Sequence, residues 1–468
     1  MMAMTATAQT IDTNQLSPYD QNASAPFLDP EWMFGVKDGF DIVIGNPPYI
    51  QLQANRGELA NLYAGKGFAT FERTGDIYCL FYERGFNLLA PGGHLCYITS
   101  NKWMRAGYGE ATRRFFAERT RPQLLLDFAG EKIFESASVD TNIMLFANES
   151  PTQDGFPCCM ATRECREDIA RFVRENARAI SFPQGEAWRI LSASDEAILA
   201  KAKAVGKPLK DWGVQINYGI KTGFNEAFII DGAKRNRLVA ENPQSANILQ
   251  PYVRGRDANR YSLAESGLWL IAAHNGYGGV SRVDVAKYPA VRKWLASFEP
   301  SLSNRSDQGD TPFNLRNCAY WGDFSKPKML WAETMRIRRT SSERFPRFTY
   351  TEGGVIADKT CFFATGGNLK FITGVMNSMM GWYLCRHFVS ILDNGGYMMQ
   401  KAFVENIPIP PATPAEQAPI IALVERILAA KGADAAADTA AWEAEIDRLV
   451  YALYGLTGEE VAVVEGME

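Results

Sequence analysis

At 468 residues, 46% hydrophobic and 12% aromatic, the chain has room for two or three folded domains and is too apolar for a disordered one. Eight cysteines without a C-x-x-C pair, three histidines, and no membrane-length apolar run or apolar leader argue against a disulfide frame, a metal site and a membrane span; a cytoplasmic protein with reduced thiols is expected. The net charge of −4 hides an asymmetry: residues 205–410 carry 26 Lys and Arg against 17 Asp and Glu, which fits a phosphate-facing surface on that region alone, or else an ordinary solvated face.

Residues 1–30 are polar and turn-rich and read as a tail or linker, after which Phe27 and Trp32 to Phe34 dock onto the first strand. Ile42, Val43 and Ile44 are an apolar, β-branched run that predicts a buried parallel strand ending at Gly45. Asn46-Pro47-Pro48-Tyr49 follows. Prolines fix φ and donate no hydrogen bond, so the chain leaves the strand in a stiff turn that holds the Asn46 amide and the Tyr49 ring at the carboxyl end of the strand. Open α/β sheets bind ligands at that edge. Asn46 Oδ1 and the Pro47 carbonyl are two acceptors able to grip an exocyclic NH2 and raise the electron density on its nitrogen as it attacks a methyl donor. Tyr49 offers a face for a base swung out of a duplex. The plain alternative is an Asn-Pro turn capping a core strand.

Arg73-Thr74-Gly75-Asp76 reads as a helix start capped by Thr74 or Asp76, with Ile77, Leu80, Phe81, Leu88 and Leu89 at helical spacing up to Pro91-Gly92-Gly93. A strand over 95–99, a helix over 108–118, a strand over 124–128 and a last, antiparallel strand over 139–146 follow. Together, residues 31–150 predict an α/β unit, the second half of a doubly wound, Rossmann-like sheet. The arginine-rich stretch 151–204 reads as a linking segment that carries the chain off that sheet.

The basic region 205–410 predicts a mixed α+β domain. A tight glycine-flanked turn bears Lys221 and Thr222, and a second bears Arg254 and Arg256; both would present donors to phosphates. Alternation along 331–339 puts Arg336 and Arg338 on one strand face and Ile337 and Arg339 on the other, where arginines bracket guanine or grip phosphate. Residues 371–385 read as one apolar helix, and Asn406 to Pro410 closes the region. Residues 411–468 read as C-terminal helices with a packing role.

The strand-plus-Asn46-Pro47-Pro48-Tyr49 arrangement resembles the catalytic motif of N6-adenine DNA methyltransferases. Gly219 to Asn225, Leu249 to Asp257 and Ile446 to Thr457 resemble the TaqI-like specificity domain and terminus of type IIG restriction–modification proteins. The likeness covers nearly all of the chain from Phe27. It implies methyl transfer from S-adenosylmethionine to N6 of a flipped adenine in double-stranded DNA, within a restriction–modification or related defence system. Asn46 and Pro47 would hold the amine and Pro48 would shape the turn. Tyr49 and Phe134 would sandwich the base, and Asn46, Pro48 and Phe81 would lie beside the cofactor. Phe81 and Phe134 also read as core residues.

Residues 205–410 would then recognise the target. In the family the glycine-rich cofactor turn lies upstream of the catalytic motif; no such turn precedes Asn46, and no P-D…(D/E)-x-K nuclease triad stands out. An upstream polypeptide carrying the cofactor half and a nuclease is therefore an expected partner, and the Ile42 strand should present an open sheet edge. The alternative is a non-catalytic DNA-recognition subunit, or a fragment that needs a second chain for cofactor binding.

Overall fold

Two short helices, α1 (Pro30–Phe34) and α2 (Ala54–Tyr63), flank strand β1 (Phe40–Gly45). Helix α3 (Ile77–Phe86) leads into β2 (Leu89–Ser100), and α4 (Glu110–Arg119) into β3 (Arg121–Asp127). Then come β4 (Thr141–Ala147), β5 (Phe156–Met160), α5 (Ile169–Asn176) and β6 (Arg178–Ile180). The computed structural model describes residues 30–128, 140–152, 154–182, 185–337, 344–392 and 396–466, so the predicted tail, Phe134, Arg338 and Arg339 lie outside the described residues. The chain divides into two units, residues 1–190 and 191–468.

In the first unit the strands form one mixed sheet in the order β1-β2-β4-β3-β5-β6. β2 runs parallel to β1, β4 lies antiparallel between β2 and β3, and β5 is parallel to β3. The carboxyl ends of β1, β2 and β3 therefore share one edge. The α/β reading holds, and the predicted antiparallel strand is β4. An aromatic cluster fills the core: the Tyr82 and Phe116 rings meet edge to face at 4.9 Å, and Trp103 meets Phe116 at 5.0 Å.

Several expectations need correction. Residues 151–204 do not carry the chain off the sheet: β5 and β6 extend it, and the unit boundary falls after Ile190. The buried pair Cys158 and Cys159 gives β5 two inward faces, a signal hidden by the arginines that follow. Helix α3 stops at Phe86, and Leu89 opens β2. Pro91-Gly92-Gly93 lies inside β2, where a Cβ on Gly93 would come within 2.6 Å of the Phe40 carbonyl oxygen; glycine permits that close approach to β1. β1 is not buried: it sits at the sheet edge, with Ile42 69% and Ile44 77% exposed.

The second unit holds a four-stranded antiparallel sheet whose spatial order is Thr349–Thr351, Lys328–Ala332, Cys361–Gly366 and Val214–Tyr218. A second sheet orders Ile356–Ala357, Leu249–Val253, Leu268–Ile271 and Ile229–Asp231. Lys207–Pro208 pairs antiparallel with Pro408–Ile409, so the start and finish of the predicted region 205–410 lie side by side. The C-terminal helices Pro414–Ala433, Ala440–Tyr454 and Gly458–Glu465 share one core with that region, through Ile420, Val424, Ile446, Val450 and Val464. The predicted single helix 371–385 is two, Leu369–Asn377 and Met379–Phe388, because the Ser378 side chain accepts from Gly381 N and caps a new start. The predicted strand 331–339 breaks at Glu333, leaving Arg336 and Ile337 both exposed rather than on opposite faces.

Candidate catalytic site

The site begins where β1 ends. Gly45 lies against the Tyr97 ring, which a Cβ would approach to 3.2 Å. Beyond it Asn46 and Pro48 are exposed, Pro47 is buried and Tyr49 is half-buried. The alternation is what a stiff turn does: one proline anchors while the carboxamide before it faces out. The Tyr49 hydroxyl donates to the Ile98 carbonyl of β2 at 3.3 Å, and its ring meets Tyr78 of α3 edge to face at 6.0 Å. Burial, then the nearby Asp76 charge, push the Tyr49 phenol up to about 12, so it stays a protonated donor.

The turn is tied to the start of α3 on its far side. Ile50 N donates to Asp76 Oδ1 at 2.8 Å, Ile77 N donates to the Ile50 carbonyl at 2.9 Å, and Leu52 N donates to the Gly75 carbonyl at 2.9 Å. Asp76 is thus the cap residue of α3, as one of the two expected candidates, but its carboxylate also reaches across to the motif turn.

The neighbouring strand ends bring further polar groups to the same edge. Ser100 caps the turn Asn101–Met104 after β2. Asn101 Nδ2 donates to Asp127 Oδ1 at 2.7 Å, and Arg105 pairs with Asp127 Oδ2 at 3.3 Å; Asp127 is fully buried at the end of β3. Burial, then the positive Arg105, hold the Arg189 guanidinium down at about 10. Asp76, Asn101, Arg105 and Asp127 were missed by sequence reasoning. The available signal for Asn101 and Asp127 was position: each sits where an apolar strand gives way to a polar residue.

Phe81 lies on the outer side of α3, 38% exposed, and so is not a core residue. Ile50 and Leu62 are also exposed in this unit. Beneath the edge, Tyr82 and Thr99 hydroxyls bond at 2.8 Å in the core, which keeps α3 in register with β2.

In the second unit the predicted DNA contacts separate into two places. Arg256 and Arg336 come together, 80 positions apart in the chain, in a cleft of about 410 Å³ also lined by Glu333, Thr334, Arg347 and Thr360. Lys221 and Thr222 instead line a cavity of about 590 Å³ with Asn225, Glu226, Asp307, Asp358 and Lys359. Thr222 is buried and its hydroxyl bonds Asn225 Oδ1 at 2.6 Å, so it does not offer that group to a phosphate as expected. Arg254 is likewise engaged: its Nε donates to Asp257 Oδ2 at 3.0 Å, which raises its guanidinium above the usual value. Lys221 is exposed.

All eight cysteines are free thiols, seven of them buried. Among the described residues no helix is long and apolar enough to cross a membrane, and no three His, Cys, Asp or Glu residues are placed to hold a metal ion.

Known proteins share this sequence and fold. Residues 4–134 match the Eco57I restriction-modification methylase family, a stretch that starts inside the segment read as a tail. The chain is similar to the type II methyltransferase M.PaeR7I of Pseudomonas aeruginosa, 26% identical over 289 residues that make up 59% of this chain and 48% of that protein. It is similar also to the type II methyltransferase M.XhoI of Xanthomonas vasicola, 22% identical over 391 residues, 79% of this chain and 68% of that one. The chain thus spans about half the length of the first relative. In fold it is similar to the type IIL restriction-modification enzyme MmeI, whose structure was solved in complex with DNA, with a TM-score of 0.54 at 14% identity, covering 91% of this chain and 56% of that one.

Proposed function

We propose that this chain, whose sequence relatives are type II restriction–modification methyltransferases, methylates N6 of adenine in double-stranded DNA with S-adenosylmethionine as donor. The observation that carries the reading is the carboxyl end of β1, where Asn46 faces out between Gly45 and the buried Pro47 while Tyr49 is fixed to Ile98. Asn46 Oδ1 and the Pro47 carbonyl accept the two hydrogens of the adenine amine and turn its lone pair outward. Pro48 shapes the turn, and Tyr49 and Phe134 stack on the base. With the nitrogen held by Asn46 and Pro47, its lone pair would face the methyl group that bound S-adenosylmethionine would supply, and the surplus N–H proton would pass to water. No strong general base is required.

S-adenosylmethionine supplies an electrophilic methyl group when bound. The residues present fit one wall of such a site: Phe81 of α3 is exposed and offers apolar surface, and Asn46 and Pro48 are exposed at the carboxyl end of β1. The other wall would form against the free edge of β1, whose exposed Ile42 and Ile44 are suited to a neighbouring strand and helix. Within residues 205–410, Arg256 and Arg336 of the cleft and the exposed Lys221 of the separate cavity would contact the target DNA.

The test is tritium transfer from labelled S-adenosylmethionine into unmethylated bacterial DNA by the chain co-expressed with its neighbouring reading frames. Asn46→Ala should lower kcat by about 10²-fold or more, with DNA binding retained. Methylation that survives this substitution would refute the assignment and leave a DNA-recognition subunit with a vestigial turn.

A further inference from the structure

A turn built on two prolines has a mechanical problem. Pro47 and Pro48 have no N–H with which to fasten the segment that carries the carboxamide. Its upstream end is held by the β1 ladder, in which Gly45 pairs with Tyr97. Its downstream end is held by Tyr49, through one hydroxyl contact at 3.3 Å, and by Ile50. Ile50 is itself 43% exposed, so packing does little to fix it. Its backbone does the work: N–H to Asp76 Oδ1 at 2.8 Å and carbonyl to Ile77 N at 2.9 Å. Asp76 meanwhile is nearly buried, 9% exposed, at the first position of α3.

From this geometry we infer that Asp76 is a positioning residue for the catalytic turn, its carboxylate holding Ile50 so that Asn46 and Tyr49 keep their places at the sheet edge. This rests on the methyl-transfer reading above. The charge is favoured by the α3 amino end, while burial raises the Asp76 pKa by penalising the ionised form. An uncharged acceptor of the same length and shape therefore serves equally well, because what the turn needs is an oxygen at that point. Misplacing a reacting group by about 1 Å costs on the order of 10²-fold in rate.

The experiment uses the active co-expressed protein in the tritium-transfer assay and two variants. Asp76→Ser leaves a residue suited to the cap position of α3 but withdraws the acceptor from Ile50; Asp76→Asn keeps the acceptor and removes the charge. Expected results are a kcat about 10²-fold lower for Asp76→Ser, and restoration to within about threefold of wild type in Asp76→Asn. Hydrogen exchange at the Ile50 amide should speed up at least about tenfold in Asp76→Ser and stay slow in Asp76→Asn. Full kcat in Asp76→Ser, or an Ile50 amide equally protected in both variants, overturns the inference alone. A wild-type protein that transfers no methyl group overturns the underlying reading as well.

Discussion

Tyr49 shows how one side chain can serve packing and chemistry together. Its hydroxyl is spent on Ile98 and one ring edge on Tyr78, which fixes the ring plane. Tyr49→Phe should therefore keep most of any base stacking and lose only the tether. Tyr49→Ala should cost about 1–3 kcal/mol of binding to DNA carrying a mismatched target base, where flipping is easiest, as read by fluorescence titration. A different residue sets a pH dependence. Lys328 is fully buried on a central strand with the Phe324 carbonyl accepting at 2.8 Å, and burial pushes its amine down to about 8 from 10.5. Because the folded value lies below the unfolded one, its contribution to stability is complete above 10.5 and is lost as pH falls through 8. The difference amounts to roughly 3 kcal/mol. Lys328→Met should raise the urea midpoint at pH 7, and that gain should shrink as the pH approaches 10.5.

At the scale of elements, a helix contact and an ion pair determine how the C-terminal helices are attached. A Cβ on Gly374 would come within 2.6 Å of Ile420 Cγ2 and 3.1 Å of Val424 Cγ2, so Gly374→Val should destabilise by about 1–3 kcal/mol in urea unfolding. Arg260 and Glu443 pair at 2.6 Å with both side chains buried, and Thr439 supports the carboxylate at 2.8 Å. Glu443→Ala takes its nearest carboxylate from a buried guanidinium and should cost about 3–5 kcal/mol by the same measurement. These contacts explain why residues 411–468 did not read as part of the recognition region: an Ala-rich helical pattern shows that a helix forms, not what it packs against. The strands were legible where apolar residues recurred along the segment, as at β4. They were illegible at β5, where two cysteines carry the inward face. Asn46 to Tyr49 stood out by residue type and spacing, whereas Asp76 and Asp127 acquire meaning only when distant strand ends are brought to one edge.

For the whole molecule, the exposed face of β1 and the arginine cleft make opposite predictions about what the 468-residue chain does alone. By itself it should bind duplex DNA and show no tight heat of binding with S-adenosylmethionine in calorimetry; a tight isotherm would contradict the two-part cofactor site. Arg256→Ala with Arg336→Ala should weaken DNA binding. A salt slope reduced by about one unit per arginine marks phosphate contacts, and an unchanged slope with lost sequence preference marks base contacts. Glu333 in the same cleft repels phosphate and tilts the expectation toward bases.

The short ladder that joins Lys207–Pro208 to Pro408–Ile409 has a practical corollary. Two hundred residues enter and leave their neighbourhood through a single doorway. A cassette cut at those two strands would leave behind the C-terminal helices that complete its core, so a graft between relatives would have to carry residues 411–468 along with the strands.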